Sequence, residues 1–121
     1  MKTIILLNKI KPTESLIPQD KWDEISSHYN GDINSISLIY VYESNGFYLP
    51  DNGNKRATFL HTKGHQTINA YIREHDQDEV DYLENLVEKA EGFNVKNLDD
   101  LSKRIVPRDE YDLLMEVIDN Y

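Results

Sequence analysis

The chain has no cysteine. That one absence excludes a disulfide framework, a thiolate zinc site and any cysteine nucleophile. Long apolar runs are missing as well. Ile4 to Leu7 is shorter than the roughly 7 to 15 apolar residues of a signal sequence, and Asn8, Lys9 and Lys11 follow it instead of a small-residue cleavage site. Nothing approaches the ~20 apolar residues needed to span a bilayer. The expectation is a cytoplasmic protein with no membrane partner. There is no Gly-x-Ser-x-Gly elbow for a serine nucleophile, no internal repeat and no low-complexity run.

What is present suits a single core. The 121 residues are 39% apolar and 29% charged, with 8 Tyr and 3 Phe, enough to offset chain entropy in one domain spanning residues 1–121. Charge is unevenly placed. Residues 1–75 carry 8 basic and 8 acidic side chains, whereas residues 76–121 carry 5 and 14, so the formal charge of −9 belongs entirely to the C-terminal third. Such a surface repels phosphate backbones, which disfavours DNA binding. It reads as a solvated helical face, or alternatively as a docking surface for a basic protein partner.

Periodicity supplies the elements. Thr3 to Leu7 reads as a short buried strand, and Pro12 and Pro18 bracket an irregular loop containing Glu14. Trp22, Ile25 and Tyr29 lie on one face of a helix that Asn30-Gly31 stops. Ile36 to Tyr42 is the candidate central strand, with both faces covered. Asn45-Gly46 is the strongest hairpin signal and joins it to Phe47 to Leu49, where Pro50 should end the ladder. A helix from about Asn54 to Lys63 then uses Ala57 and Leu60 and is closed by Gly64, and Thr67 to Ile72 is the next strand. Beyond Arg73 the spacing of Val80, Leu83, Val87 and Ala90 predicts an amphipathic helix ended by Gly92. Leu98, Leu101 and Ile105 mark a shorter segment. Pro107 opens a final helix with Tyr111, Leu114, Met115 and Ile118 on its buried side.

The residues that can carry chemistry cluster in the turn Asp51, Asn52, Gly53, Asn54, Lys55, Arg56. A turn that ends a strand and opens a helix presents unpaired N–H groups at the positive end of the helix dipole, and glycine there lets a ligand approach the backbone. Lys55 and Arg56 add two cations, and Arg56 can grip phosphate or carboxylate with a fork of N–H groups. Asp51 can position a metal or a hydroxyl. His61 and His65 are four apart, but Gly64 interrupts them and no third ligand stands at a recognisable spacing, so no metal site is expected from the histidines.

The order strand, Asn-Gly hairpin, strand, Asp-Asn-Gly-Asn-Lys-Arg, helix, Gly64, strand over residues 39–72 resembles the core of the ParB/sulfiredoxin-like superfamily, in which the turn reads D-G-x-H-R or G-E-R-R. The run Asn8-Lys9-Ile10-Lys11-Pro12-Thr13-Glu14 is similar to the family's opening, where a loop after the first strand carries a proline and a functional glutamate. The resemblance covers residues 3–74 and leaves 76–121 as an acidic helical extension. It implies an α+β fold with a mixed β-sheet and packed helices. It also implies a nucleotide or phosphate-bearing ligand, with a Mg²⁺-nucleotide (ATP, ADP or CTP) as cofactor or substrate, bound at Asn52, Gly53, Asn54, Lys55 and Arg56. Phosphoryl transfer or nucleotide hydrolysis would then use Glu14 and Asp51. Two departures weaken catalysis more than binding. Asn52 stands where many relatives have Asp, and Lys55 where D-G-x-H-R members have His; an amide cannot take up a proton, and a solvated lysine is charged at neutral pH. Without cysteine, sulfiredoxin chemistry is excluded. The alternative is a noncatalytic acidic interaction or inhibitor protein whose turn is vestigial.

Overall fold

The computed structural model describes residues 1–120. Four strands form a mixed sheet in the order β1 (Lys2–Leu6), β5 (Thr67–Ile72), β3 (Ile39–Ser44), β4 (Phe47–Asn52). β1 runs antiparallel to β5, β5 parallel to β3, and β3 antiparallel to β4. The helices are α1 (Gln19–His28), α2 (Asn54–Thr62), α3 (Gln77–Gly92), α4 (Leu98–Ser102) and α5 (Arg108–Asp119). A second, two-stranded parallel sheet pairs β2 (Ile17–Pro18) with β6 (Ile105–Val106). This is the α+β class with a mixed sheet and packed helices. Among the described residues no helix is long and apolar enough to cross a membrane.

The strand pleat sorts side chains between two cores. Ile39 and Val41 of β3, with Ile5, Ile68 and Ala70, face α2 and pack on Ala57 and Leu60. Tyr42 and Leu49 face the other way, under Val80, Leu83 and Val87 of α3. A third cluster, Ile17, Ala90, Val95 and Leu101, joins α3 to α4 and the small sheet. The acidic C-terminal third is therefore interwoven with the rest: α4 packs on α2, Leu98 enters the α2-side core, and β6 completes a sheet begun by β2.

Several local expectations change in three dimensions. The central strand begins at Ile39 rather than Ile36, because Asp32 caps a 3-10 turn over Ile33–Ser35 and the Leu38 carbonyl is taken by Arg56. Pro50 does not end the ladder. β4 is an edge strand where a missing N–H is tolerated, and pairing resumes at Asn52 after a register shift that skips Asp51. The loop between Pro12 and Pro18 is not wholly irregular, since Ile17 and Pro18 pair with β6. The second face of the sheet is only half covered: α3 packs on β3 and β4, and Tyr40 stays exposed while Tyr42 is buried. On α5 only Ile118 is buried; Leu114 is exposed, as are Leu113 and Val117, because the helix meets the fold along a narrow line. α3 ends at Gly92 as expected, yet the left-handed residue after it is Asn94. The Asn45-Gly46 hairpin forms with both residues at positive φ, as a tight two-residue turn requires.

Candidate functional site

Gly53 decides the shape of the β4–α2 turn. Its φ of +121° lies where side-chain-bearing residues rarely go. A Cβ there would sit 2.1 Å from Ile39 Cγ2, and Ile39 is fully buried in the neighbouring strand. The glycine is thus required twice, once by the backbone and once by the close approach of turn to sheet. No side chain caps α2 at this point, so the start of the helix keeps its unpaired N–H groups.

The early loop is pinned over this turn by buried neutral hydrogen bonds. The Thr13 N–H donates to Asn54 Oδ1 at 2.8 Å and the Asn54 amide donates back to Thr13 Oγ1 at 2.8 Å. That hydroxyl in turn donates to the Pro50 carbonyl at 2.8 Å. Asn54, expected to bind ligand, is buried and its side chain is committed to the loop, which leaves its backbone N–H as what it can offer. The same pinning brings Glu14 to Lys55, with both carboxylate oxygens near Nζ at 2.8 and 3.1 Å. Tyr111 of α5 lies close by: burial first, and the Glu14 carboxylate second, raise its phenol above the usual range.

Arg56 is half-buried. Its Nη1 donates to the Leu38 carbonyl at 2.9 Å and its Nη2 to Asn52 Oδ1. Burial lowers its pKa, with Tyr40 acting in the opposite direction, but a guanidinium stays charged across the neutral range. Asp51, the residue skipped in the register, does not reach this group. Its carboxylate lies 3.0 Å from Arg73 Nε, an ion pair outside hydrogen-bond angles, and that guanidinium stacks 4.7 Å over the Tyr40 ring.

The turn separates two clefts. One, of about 490 Å³, is lined by Glu14, Lys55, Arg56 and the turn backbone together with Lys21, Glu24 and Ile25 of α1. The other, of about 390 Å³, lies between Thr13, Asp51 and the turn on one side and Tyr82, Leu83 and Leu86 of α3 on the other. Both volumes fall within the roughly 300–1,000 Å³ of small-molecule sites. Of the residues expected from the sequence, Glu14, Asn52, Gly53, Lys55 and Arg56 meet at the larger cleft, whereas the Asp51 side chain is turned to Arg73. Lys21, Glu24, Thr13 and Tyr111 were not anticipated. They come from helices and a loop whose approach no local pattern encodes, although Thr13, next to Glu14, stood within reach of the same motif. Among the described residues no group of three or more His, Asp or Glu is placed to hold a metal ion.

No family model matches the chain, and no curated protein sequence matches it. Solved structures do match its fold. One is protein Atu1540 from Agrobacterium tumefaciens, 14% identical, with a TM-score of 0.58 over 84% of this chain. The chain spans 61% of the length of that protein. A likeness at this identity is one of fold alone.

Proposed function

We propose that the chain is a ParB/sulfiredoxin-like domain that binds a nucleotide or another phosphate-bearing ligand on the turn Asn52 to Arg56. The observation that carries the reading is the seating of Gly53 against Ile39. It opens an uncapped helix start onto a cleft that also holds Lys21, Lys55 and Arg56. Phosphate oxygens suit such N–H groups, and the cleft has the size for a small molecule.

Binding is better supported than chemistry. Both carboxylates that a catalyst would use are paired with cations, Glu14 with Lys55 and Asp51 with Arg73. In this reading a phosphate competes with Glu14 for Lys55, and the released carboxylate faces the ligand. Glu14 is then the group that would hold a Mg²⁺ carried on the nucleotide, since such ions commonly use one or two carboxylates besides the phosphates. The ion would neutralise phosphate charge. A second reading, an acidic surface for a basic protein partner, is favoured by α5, which leaves Leu113 67% and Val117 61% exposed on a helix rich in Asp and Glu.

The test is a thermal-shift panel of ATP, ADP, CTP, GTP and pyrophosphate with and without Mg²⁺. A ligand at about a hundredfold excess over its Kd stabilises by about 2.7 kcal/mol, which raises Tm by several degrees. Lys55→Ala should abolish the shift and leave the unliganded Tm nearly unchanged, because its ion pair is partly solvated and contributes about 0–1 kcal/mol. Arg56→Ala is the poorer probe, since it also deprives the Leu38 carbonyl of its donor. A flat panel overturns the nucleotide reading and leaves the interaction reading standing.

A further inference from the structure

The two edges of the main sheet are treated differently. β4 is guarded: Pro50 lies in it, its register breaks at Asp51, and the segment at Ile10 and Lys11 runs beside it, with Lys11 N–H donating to the Tyr48 carbonyl at 3.0 Å. These are the devices by which proteins blunt an edge against pairing with another chain. β1 has none of them apart from one charged residue, Lys2. Beyond Lys2, the outward side chains of β1 are apolar and open, Ile4 63% and Leu6 48% exposed, and Tyr71 of β5 on the same face is 40% exposed.

The hydrogen-bond parity of β1 is fixed by its partner. Met1 and Ile72 exchange bonds, the Ile72 N–H donating to the Met1 carbonyl at 2.8 Å, and the Leu7 N–H donates to the Gln66 carbonyl at 2.9 Å. Antiparallel pairs alternate, so the odd residues of β1 face β5 and the N–H and C=O groups of Lys2, Ile4 and Leu6 face the open edge. A strand of this pattern is complementary to itself.

We propose that β1 pairs antiparallel with β1 of a second copy, about a two-fold axis at Ile4, so that two four-stranded sheets join into one. Ile4 then stands opposite Ile4 of the second copy, and Lys2 opposite Leu6, with both bonds exchanged at each position. No like charges meet: Ile4 forms an apolar pair with Ile4 of the second copy, and the apolar stem of Lys2 lies across from Leu6 on the same face. The patch on each copy is on the order of a few hundred Å², below the roughly 800 Å² per partner of a standard interface, so the dimer is weak and concentration-dependent. Because each copy carries a charge of −9, added salt strengthens it by screening repulsion, whereas an interface built on opposite charges weakens with salt.

The experiment is sedimentation equilibrium of protein without an N-terminal tag, over roughly a hundredfold range of concentration, at low and high salt. The expected result is a monomer–dimer equilibrium that shifts toward dimer with salt. Ile4→Pro removes an N–H that the monomer does not use and should weaken association about tenfold or more. Ile4→Lys, at a side chain 63% exposed in the monomer, should do the same by placing like charges together. In this cysteine-free chain, Ile4→Cys should form a disulfide dimer under mild oxidation much faster than the equally exposed control Leu113→Cys, since Cα atoms of a hydrogen-bonded pair stand about 5.5 Å apart, within disulfide range. A chain that stays monomeric throughout overturns the proposal. So does a dimer that survives both Ile4→Pro and Ile4→Lys, or one that Leu113→Lys abolishes while those two leave it intact.

Discussion

Two joints hold the candidate site together, and they are made of different physics. Where the early loop meets the β4–α2 turn, Thr13, Asn54 and the Pro50 carbonyl form a buried neutral chain of hydrogen bonds above a glycine at positive φ whose Cβ would collide with Ile39. Where α5 meets α1, the contact is an exposed fork from Arg108 to Asp20, at 3.0 Å on both arms, and along the whole of α5 only Ile118 is buried. Buried neutral bonds are insensitive to salt and pH and costly to break, whereas exposed ion pairs are screened and contribute little. The first joint fixes the turn at Gly53. The second leaves α5, and with it Tyr111 near Glu14, held in part by an exposed ion pair that salt weakens.

The largest effect that can test this contrast is Gly53→Ala. It forces a non-glycine residue to φ +121° and drives a methyl into Ile39, which together should cost about 2–4 kcal/mol and lower Tm markedly. Gly46→Ala, also at positive φ but with nothing within 4 Å of the added Cβ, is the control and should cost about 1 kcal/mol. Equal losses in denaturant titrations would mean that backbone conformation alone, and not the seating on Ile39, makes Gly53 necessary.

Asn54→Ala comes next. It leaves the buried Thr13 N–H without its acceptor, for an expected loss of about 1–3 kcal/mol that is the same at pH 5 and pH 8 and at low and high salt. Hydrogen exchange at Thr13 should accelerate in step with the loss. A destabilisation that salt or pH reverses would show that the joint depends on the Glu14–Lys55 pair instead.

The smallest effect belongs to the α1–α5 joint. The hydrogen bond from Arg108 holds the Asp20 carboxyl below its usual range. A depressed carboxylate pKa contributes stability that is fully present above the unfolded value, about 3.9, and is lost as pH falls through the lower folded value. Hydrogen exchange in α5 should therefore loosen only below about pH 4, or in high salt at neutral pH, with global Tm scarcely moved. Asp20→Asn should reproduce that loosening at pH 7. Loss of protection at Thr13 before α5 would reverse the ranking of the two joints.

Much of the fold can be read from local chemistry. Asn45-Gly46 encodes its hairpin because both turn positions need positive φ, and Val80, Leu83 and Val87 encode the buried stripe of α3 by spacing alone. Glu84 shows where spacing stops. It lies on the polar side of that helix and reads as solvent-facing, yet it accepts from Ser44 Oγ at 2.7 Å and fastens α3 to the hairpin. The same holds for Asp51. A carboxylate beside a glycine turn reads as part of the site until a register shift of one residue turns it to Arg73.

By itself, then, the sequence determined the main helices and the longer strands, their order and the turn at Gly53, since helix and strand periods, hairpin residues and caps are properties of neighbouring residues, whereas the short β2–β6 pair joins segments far apart in the chain. Only the tertiary structure decided which side chains share the cleft. Thr13 and Asn54 are 41 residues apart, and the bonds between them carry Glu14 to Lys55. It also decided that one sheet edge is covered and the other open, because an edge is defined by what does not pair with it, and pairing between distant strands follows from the packing of the whole chain.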